Sequence, residues 1–172
     1  MEQSSKTLTF VVPAYNMETY LERCVESLLS ATDNSDIEVL IVDDGSSDGT
    51  PELADMYERR WPGNVRAIHQ VNKGHGGAVN TGIANATGMY VKVVDADDWV
   101  DMPSNDTLMG TLRVQRVATD PVDMIVTNYV YDKVGKRVKH TVNFRHAMAT
   151  NTVLGWDDLG CFGVAEYILM HA

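Results

Sequence analysis

The segment most informative about chemistry is the acidic run Asp95-Ala96-Asp97-Asp98, which directly follows a short apolar stretch. Three carboxylates so close together repel one another unless a cation lies between them. Carboxylate oxygens are hard ligands, so they favour Mg²⁺ or Mn²⁺ over zinc. Magnesium commonly takes only about one or two protein carboxylates and completes its coordination with water and substrate phosphates. The run therefore predicts a site for a metal and a diphosphate. The alternative is a solvated acidic turn in which one Asp caps a helix.

A second acidic segment, Asp43-Asp44-Gly45-Ser46, also follows an apolar run, at residues 37–42. A carboxylate at this place could accept hydrogen bonds from a nucleobase N–H or from ribose hydroxyls. In the alternative interpretation the two Asp residues only close the turn, and Gly45 takes a positive φ. The order of the two acidic segments along the chain is more specific than either segment alone.

The elements that must hold these segments alternate between strand and helix patterns. Apolar runs predict strands at residues 8–12, 37–42, 65–71 and 89–94. The first is expected to be a buried central strand that Pro13 ends, and the third is expected to be partly exposed. Helical spacing begins near Tyr20, with Asn16 as a cap, and again at Thr50, which would cap a helix with Pro51 at its first position. Residues 74–77 are expected to be flexible and residues 78–86 helical. This alternation predicts an α/β fold with a mostly parallel, Rossmann-like sheet flanked by helices. Ligands of such sheets bind beyond the carboxyl ends of the strands, which selects the loops at residues 13–16, 43–48 and 95–98.

The second half of the chain is less regular. Its patterns predict a helix at residues 108–117, a strand at 124–131, a turn at 132–136 and a return strand at 137–144. The pattern fades after Thr150. A chain of 172 residues fits a single domain over residues 1–172 better than two domains.

Composition narrows the classes of partner. The chain has 24 Asp and Glu but only 14 Lys and Arg, which gives a formal charge of −10. Because an acidic surface repels phosphate backbones, nucleic acid is disfavoured as a partner. The two cysteines, Cys24 and Cys161, form neither a disulfide framework nor a metal-ligand cluster, so a reducing compartment is expected. No apolar stretch approaches the roughly 20 residues that a spanning helix needs. A cytoplasmic protein is therefore expected, and contact with a membrane through a segment outside this chain stays open.

At residues 7–103 the sequence resembles the family 2 glycosyltransferases, which have the GT-A fold. The resemblance rests on four ordered motifs: Val11-Val12-Pro13-Ala14-Tyr15-Asn16, Val42-Asp43-Asp44-Gly45-Ser46-Ser47-Asp48-Gly49-Thr50, Asn72-Lys73-Gly74 through Asn80-Thr81-Gly82, and Asp95-Ala96-Asp97-Asp98. It implies a nucleoside diphosphate sugar as donor, most often UDP-linked, and a divalent cation, Mg²⁺ or Mn²⁺. By position it implies that Pro13, Ala14 and Tyr15 lie against the base, with Asp44 bonded to it. Asp97 and Asp98 would serve the ribose, diphosphate and metal, with Asp98 the direct ligand and Asp95 shaping the loop or assisting through water.

The sequence departs from the family at Val79, where members often carry an Arg that could steady the donor phosphates. Lys73 or His75 is a partial substitute, although neither offers the planar fork of Arg. The alternative is that Lys73 and His75 are simply exposed loop residues with no contact to the donor.

The reaction that the resemblance implies is attack by an acceptor hydroxyl, on a glycan or a lipid-linked acceptor, at the anomeric carbon of the donor with inversion. The general base that this needs is unassigned, because the carboxylates after Asp132, namely Asp157, Asp158 and Glu166, lack a motif context. Residues 104–172 would begin the acceptor-binding half, which we expect to be truncated. A catalytically incomplete module that holds nucleotide and metal is the alternative function. A nucleotidyltransferase ranks low, because Pro13-Ala14-Tyr15-Asn16 is not a basic glycine-rich loop.

Overall fold

The computed structural model describes residues 6–132, 139–146 and 148–155. The chain divides into two compact units, residues 1–119 and residues 120–172, and each is described by itself. The expected organisation as one domain stays a prediction. Within the described residues no helix is both long enough and apolar enough to cross a membrane.

The first unit is built on a four-stranded parallel sheet with the strand order β3-β2-β1-β4. Its strands are β1 (Leu8–Ala14), β2 (Ile37–Asp43), β3 (Val65–His69) and β4 (Tyr90–Val93). Every residue of β1 and β2 is buried, as expected for central strands that are covered on both faces. The predicted α/β class with a parallel sheet is confirmed.

Pro13 does not end β1, contrary to the sequence prediction, because the strand continues through Ala14. The C=O of Val11 accepts a hydrogen bond from the N–H of Val94 on the β4 side of the strand, and Ala14 bonds to the β2 side. Since the direction alternates along a strand, the nitrogen of Pro13 faces the β4 side. Pairing between β1 and β4 stops at Val11, so the missing N–H of Pro13 costs no ladder bond.

Two helices follow the first two strands, α1 (Leu21–Leu28) and α2 (Thr50–Arg60). The N-cap of α1 is Tyr20 rather than Asn16, since the chain makes a turn between them with the N–H of Tyr20 bonded to the C=O of Met17. The N-cap of α2 is Gly49 rather than Thr50. Thr50 is instead buried, and its Oγ1 accepts the N–H of Met17 at 2.8 Å.

The third helix, α3 (His75–Asn85), begins within residues 74–77, which the sequence predicts to be flexible because of their glycines. Gly74 precedes it with φ 76°, a conformation that glycine adopts without strain. Gly82 lies directly against the sheet, where an added Cβ would overlap the side chain of Val11. The absence of a side chain at Gly82 thus lets α3 pack closely on β1.

The last helix of the first unit is α4 (Met102–Arg116), which begins six residues before the predicted start at residue 108. The side chain of Asp101 caps it by accepting the N–H of Ser104 at 3.1 Å. The prediction missed this cap because Pro103 separates it from the apolar periodicity, although Pro in the first turn is itself typical of a helix start.

The second unit contains a two-stranded antiparallel sheet of β5 (Tyr129–Tyr131) and β6 (His140–Val142), followed by a short 3-10 helix (Phe144–His146). Both strands are shorter than the predicted 124–131 and 137–144. The ring of Tyr129 contacts Tyr131 edge-on at 5.3 Å between centroids and Phe144 at 6.2 Å. This aromatic group supplies the local packing that a hairpin needs. Most of the predicted turn at 132–136 lies outside the described residues.

Candidate functional site

A cavity of about 440 Å³ opens at the carboxyl ends of β1, β2 and β4, beside the N-terminus of α3. All three loops that the sequence singled out contribute to its wall, as the rule for parallel sheets predicts. The residues that line it are Pro13, Ala14, Tyr15, Met17, Asp44, Asn72, Gly74, His75, Ala78, Asp95, Ala96 and Asp97.

The loop after β1 is locked to the loop after β2 by side-chain bonds in both directions. Asn16, at φ 56°, donates its N–H to Ser46 Oγ at 3.0 Å and accepts the N–H of Ser47 on its own Oδ1 at 2.9 Å. Two residues on, the N–H of Glu18 donates to Asp48, and the carboxylate of Glu18 accepts the N–H of Gly49 at 3.0 Å. Asn16, which we predicted as a helix cap, thus ties two walls of the cavity together.

Asp44 lies at the carboxyl edge of β2 with only 2% of its surface exposed. Its Oδ1 accepts hydrogen bonds from Gln70 Nε2 at 2.6 Å and from the N–H of Lys73 at 2.8 Å. Burial alone would raise the pKa of the Asp44 carboxyl, but these bonds and the N–H of Gly74 outweigh it and lower the pKa. The buried group is therefore a carboxylate at neutral pH, able only to accept hydrogen bonds.

Asp43 supports the same loop from beneath. It is buried, with Oδ1 accepting the N–H of Ser46 at 3.0 Å and Oδ2 bonded to Nδ1 of His69 at 3.0 Å. The other ring nitrogen of His69 lies 3.2 Å from Oδ1 of Asp55 on α2. The hydrogen bond to Asp43 raises the pKa of His69 despite partial burial, and Asp55 adds to the effect. Asp43 is thus a structural carboxylate.

The acidic loop after β4 is anchored through its backbone and through its one apolar side chain. Ala96 is buried, the C=O of Asp95 accepts the N–H of Asp98 at 2.8 Å, and Cys24 Sγ lies 3.7 Å from the same oxygen. Just beyond, the guanidinium of Arg23 lies over the ring of Trp99, 3.3 Å from its centroid. These contacts hold the loop while its three carboxylates stay exposed.

The electrostatics of this loop are unfavourable without a counter-charge. Partial burial, followed by the neighbouring carboxylates of Asp97 and Asp95, raises the pKa of Asp98. Burial and the same three carboxylates raise the pKa of the Cys24 thiol to about 12, so that the cysteine stays protonated and packs as a small apolar residue. Nε2 of His75 at the start of α3 lies 3.7 Å from Asp95 Oδ1. The loop thus concentrates negative charge at the cavity.

These residues fit a hard divalent cation that a ligand helps to hold. Within the described ranges no group of three or more His, Cys, Asp and Glu side chains forms a complete protein cage for a metal. Magnesium and manganese need no such cage, since about one or two carboxylates with phosphate oxygens and water suffice. Burial first, and then the neighbouring carboxylates, raise the pKa of Asp98, and a cation beside the cluster would offset the repulsion among these carboxylates.

The structure brings most of the predicted site residues to one cavity. Pro13, Ala14, Tyr15, Asp44, Asp95 and Asp97 line it, whereas Lys73 and Asp98 do not. Lys73 meets the site through its backbone N–H, which bonds to Asp44. Asp98 lies in the same loop as the lining carboxylates, with its N–H turned back to Asp95. The roles of all of these residues stay predictions.

Sequence reasoning missed Gln70, whose side chain bonds to Asp44, and gave no role to the motif residue Asn72, which lines the wall. Gln70 follows directly after β3, at the same carboxyl edge as the acidic loops. That position was the available signal, and it was overlooked because the predicted strand ran on through Val71.

The fold and the site together define an α/β protein with a cavity at the carboxyl ends of parallel strands. The sequence profile described as "Glycosyl transferase family 2" matches residues 9–160. The chain belongs to this family. One relative, the glycosyltransferase GlyG of Streptococcus pneumoniae serotype 4, is 39% identical over 131 residues, which are 75% of this chain and 41% of GlyG.

Solved structures show the same architecture. S. aureus TarS (residues 1–349), in complex with UDP-GlcNAc, matches with a TM-score of 0.57 and 26% identity over 63% of this chain and 32% of TarS. The mannosyltransferase PcManGT of Pyrobaculum calidifontis, in complex with GDP-Man and Mn²⁺, matches with a TM-score of 0.55 and 28% identity over 66% of this chain and 32% of PcManGT. The predicted GT-A fold is confirmed. The chain spans less than half the length of each of these proteins.

Proposed function

We propose that this chain forms the donor site of a metal-dependent glycosyltransferase. The enzyme moves a sugar from a nucleoside diphosphate sugar, UDP-linked, to an acceptor hydroxyl on a glycan or lipid-linked acceptor, with inversion. The observation that carries the proposal is the convergence of a buried, ionised Asp44 and the exposed carboxylates of Asp95 and Asp97 on one cavity.

The two walls of that cavity suit the two ends of a nucleoside diphosphate. Asp44 offers a carboxylate acceptor to a base. Pro13, Ala14 and Tyr15 beside it offer an apolar and aromatic surface on which the base can lie. The N-terminus of α3 lies on the other side, and its unpaired N–H groups favour phosphate. His75, rather than an Arg at the position of Val79, is the basic side chain that lines this part of the cavity.

Asp97 and Asp98 would hold the cation, which supplies charge stabilisation for the diphosphate leaving group. Asp95 would support that loop, with its C=O bonded to the N–H of Asp98. The chain's own residues then bind the base, orient the diphosphate and present the anomeric carbon to the acceptor. The carboxylates considered for proton removal, Asp157, Asp158 and Glu166, lie outside the described residues, and the base stays unassigned.

The test is a thermal melt of the protein with UDP, with and without Mn²⁺ or Mg²⁺. Ligand at about a hundred times its dissociation constant adds roughly 2.7 kcal/mol of stability. For a domain of this size the midpoint should rise by about 5–10 °C. The rise with UDP should be much larger with metal than without it, and Asp98→Asn should remove this gain. Asp120→Asn, an exposed Asp in the second unit, is the matched control and should respond like the wild type.

A folded wild-type protein whose melting point ignores UDP and GDP in the presence of metal would refute the proposal. Transfer itself is measured by release of UDP from a UDP-sugar in the presence of acceptor. Binding without turnover would favour the alternative function, a module that holds nucleotide and metal.

A further inference from the structure

A chain of hydrogen bonds that the sequence motifs do not mention ends on Asp44, which lines the cavity. Thr81 on α3 donates its hydroxyl to Gln70 Oε1 at 2.7 Å, and Gln70 donates Nε2 to Asp44 Oδ1 at 2.6 Å. The backbone N–H of Gln70 is also fixed, by the C=O of Asp43 at 3.0 Å. Because Thr81 occupies the amide oxygen, the NH₂ group of Gln70 has to face Asp44.

The second hydrogen bond to Asp44 ends on the same oxygen. The N–H of Lys73 lies 2.8 Å from Oδ1, so this oxygen already accepts two hydrogen bonds. A carboxylate oxygen has about two lone-pair sites. Oδ1 is therefore saturated by the protein. The N–H of Gly74 also lowers the pKa of Asp44, but its hydrogen bond goes to Asn72 Oδ1 at 3.1 Å. Oδ2 is thus the oxygen that remains for a ligand.

A nearby glycine holds this arrangement in place. Gly45 has φ 74°, and a Cβ there would lie 3.0 Å from the N of Asn72 and 3.3 Å from the C=O of Gln70. The Asp44 loop and the segment after β3 are thus packed backbone against backbone. Rotation of the Asp44 carboxylate would break both bonds to Oδ1, so the orientation of Oδ2 is set before any ligand arrives.

Nucleobases differ in how many donors they present to such a group. Uracil offers one N–H between two carbonyl oxygens. Guanine offers an N–H and an amino group side by side, and this pair matches both oxygens of a free carboxylate. An acceptor with one oxygen available satisfies the N–H of uracil but leaves the amino group of guanine unpaired, which costs affinity.

We propose that Gln70 is a specificity-determining residue of the donor site, which selects uracil over guanine by making Asp44 a one-oxygen acceptor. This inference rests on the proposed function and names the base that the site prefers. Gln70 acts through Asp44, so it is a positioning residue, and Thr81 positions Gln70 in turn.

The experiment is isothermal titration of UDP, GDP and IDP in the presence of Mn²⁺ to the wild type and to Gln70→Met. Met has a similar length and no donor. We expect the ratio of the GDP to the UDP dissociation constant to fall by roughly tenfold in the variant, which frees one acceptor site on Oδ1.

A comparison of GDP with IDP measures the contribution of the guanine amino group, because hypoxanthine, the base of IDP, keeps the ring N–H of guanine and lacks its amino group. The wild type should bind IDP more tightly than GDP by about threefold or more, because only guanine has an amino group to leave unpaired, and Gln70→Met should remove or reverse this difference. A purely structural role for Gln70 would weaken all three ligands alike. An unchanged ratio of the GDP to the UDP dissociation constant in Gln70→Met would overturn the inference.

Thr81→Val keeps the inference testable should Gln70→Met fail to fold. It leaves Gln70 in place but removes the bond that orients its amide, so the ratio should shift in the same direction by less. Thr111→Val on α4, whose hydroxyl bonds only to the C=O of Thr107 among its described partners, is the matched control and should leave the ratio unchanged. A wild type that binds none of the nucleotides would instead refute the proposed function, and the inference with it.

Discussion

The loop after β2 and the loop after β4 are both rich in aspartate, but their carboxylates differ in burial and in hydrogen bonding. Asp43 and Asp44 are buried, and protein groups bond to both oxygens of Asp43 and to Oδ1 of Asp44. Asp95, Asp97 and Asp98 lie mainly in solvent and repel one another. The pKa of Asp44 is lowered and that of Asp98 is raised.

The difference suits two separate tasks within one cavity, recognition of a base and binding of a cation. Recognition of a base needs an acceptor whose orientation is fixed in advance, and the protein supplies every bond that fixes Asp44. A cation site can instead be completed by the ligand, and its carboxylates then have to remain free of protein donors. Opposite pKa shifts in two similar motifs are what these two proposed roles would require.

Replacing Asp44 is the change that should do most to break this comparison. In Asp44→Asn without ligand, a neutral oxygen replaces a charged acceptor of two hydrogen bonds, at a cost of about 1–2 kcal/mol of unfolding free energy. The lowered pKa of Asp44 means that its stabilisation is present above the unfolded value near 4 and is lost as the pH falls through the folded pKa. Denaturant unfolding at pH 7 and in acid measures this. A deficit that persists in acid would contradict the account.

The same substitution in the other loop should have the opposite sign. In Asp98→Asn without metal, removal of one of three repelling charges should leave stability unchanged or slightly higher at pH 7. The raised pKa of Asp98 means that its cost is present when it is ionised, above the folded pKa, and is absent in acid. Salt should reduce the gain, because the group is partly exposed. A loss of stability as large as that of Asp44→Asn would show that the two loops do not differ.

His69 gives the smallest effect and sharpens the picture of the buried loop. It bridges Asp43 and Asp55, and its pKa is raised first by the bond to Asp43. Its contribution is fully present below the unfolded value near 6.5 and is lost as the pH rises through the folded pKa. The stability difference between the wild type and His69→Gln should therefore be larger at about pH 5.5 than at pH 8. A difference that is independent of pH would mean that the charge on His69 does not hold the loop.

The sequence was sufficient for the sheet and for the three loops, because buried parallel strands are continuous apolar runs and the loops follow them directly. It failed where tertiary contacts override local signals. Pro13 stays in β1 because no strand pairs with it on the β4 side, and the glycines before Ala78 open a helix rather than a flexible loop. Asn16 looked like a cap, but its bonds go to Ser46 and Ser47, thirty residues away.

The bond between Gln70 and Asp44 was out of reach for a related reason. It joins the ends of two neighbouring strands, and its distance and direction depend on the register of β2 against β3. A single sequence fixes such a register only approximately. The carboxylates of residues 95–98 were easier to identify, since their crowding is a property of local sequence.

The central claim is that Asp44 recognises the base, while the loop at residues 95–98 binds the diphosphate through a cation. Isothermal titration of UDP and of uridine, each with and without Mn²⁺, tests it most directly, because the two ligands share the base and differ in the diphosphate. We predict that Mn²⁺ strengthens the binding of UDP and not of uridine, that Asp98→Asn removes only this gain, and that Asp44→Asn weakens both ligands alike. Binding of UDP that ignores Mn²⁺, or that survives Asp44→Asn unchanged, would contradict the account.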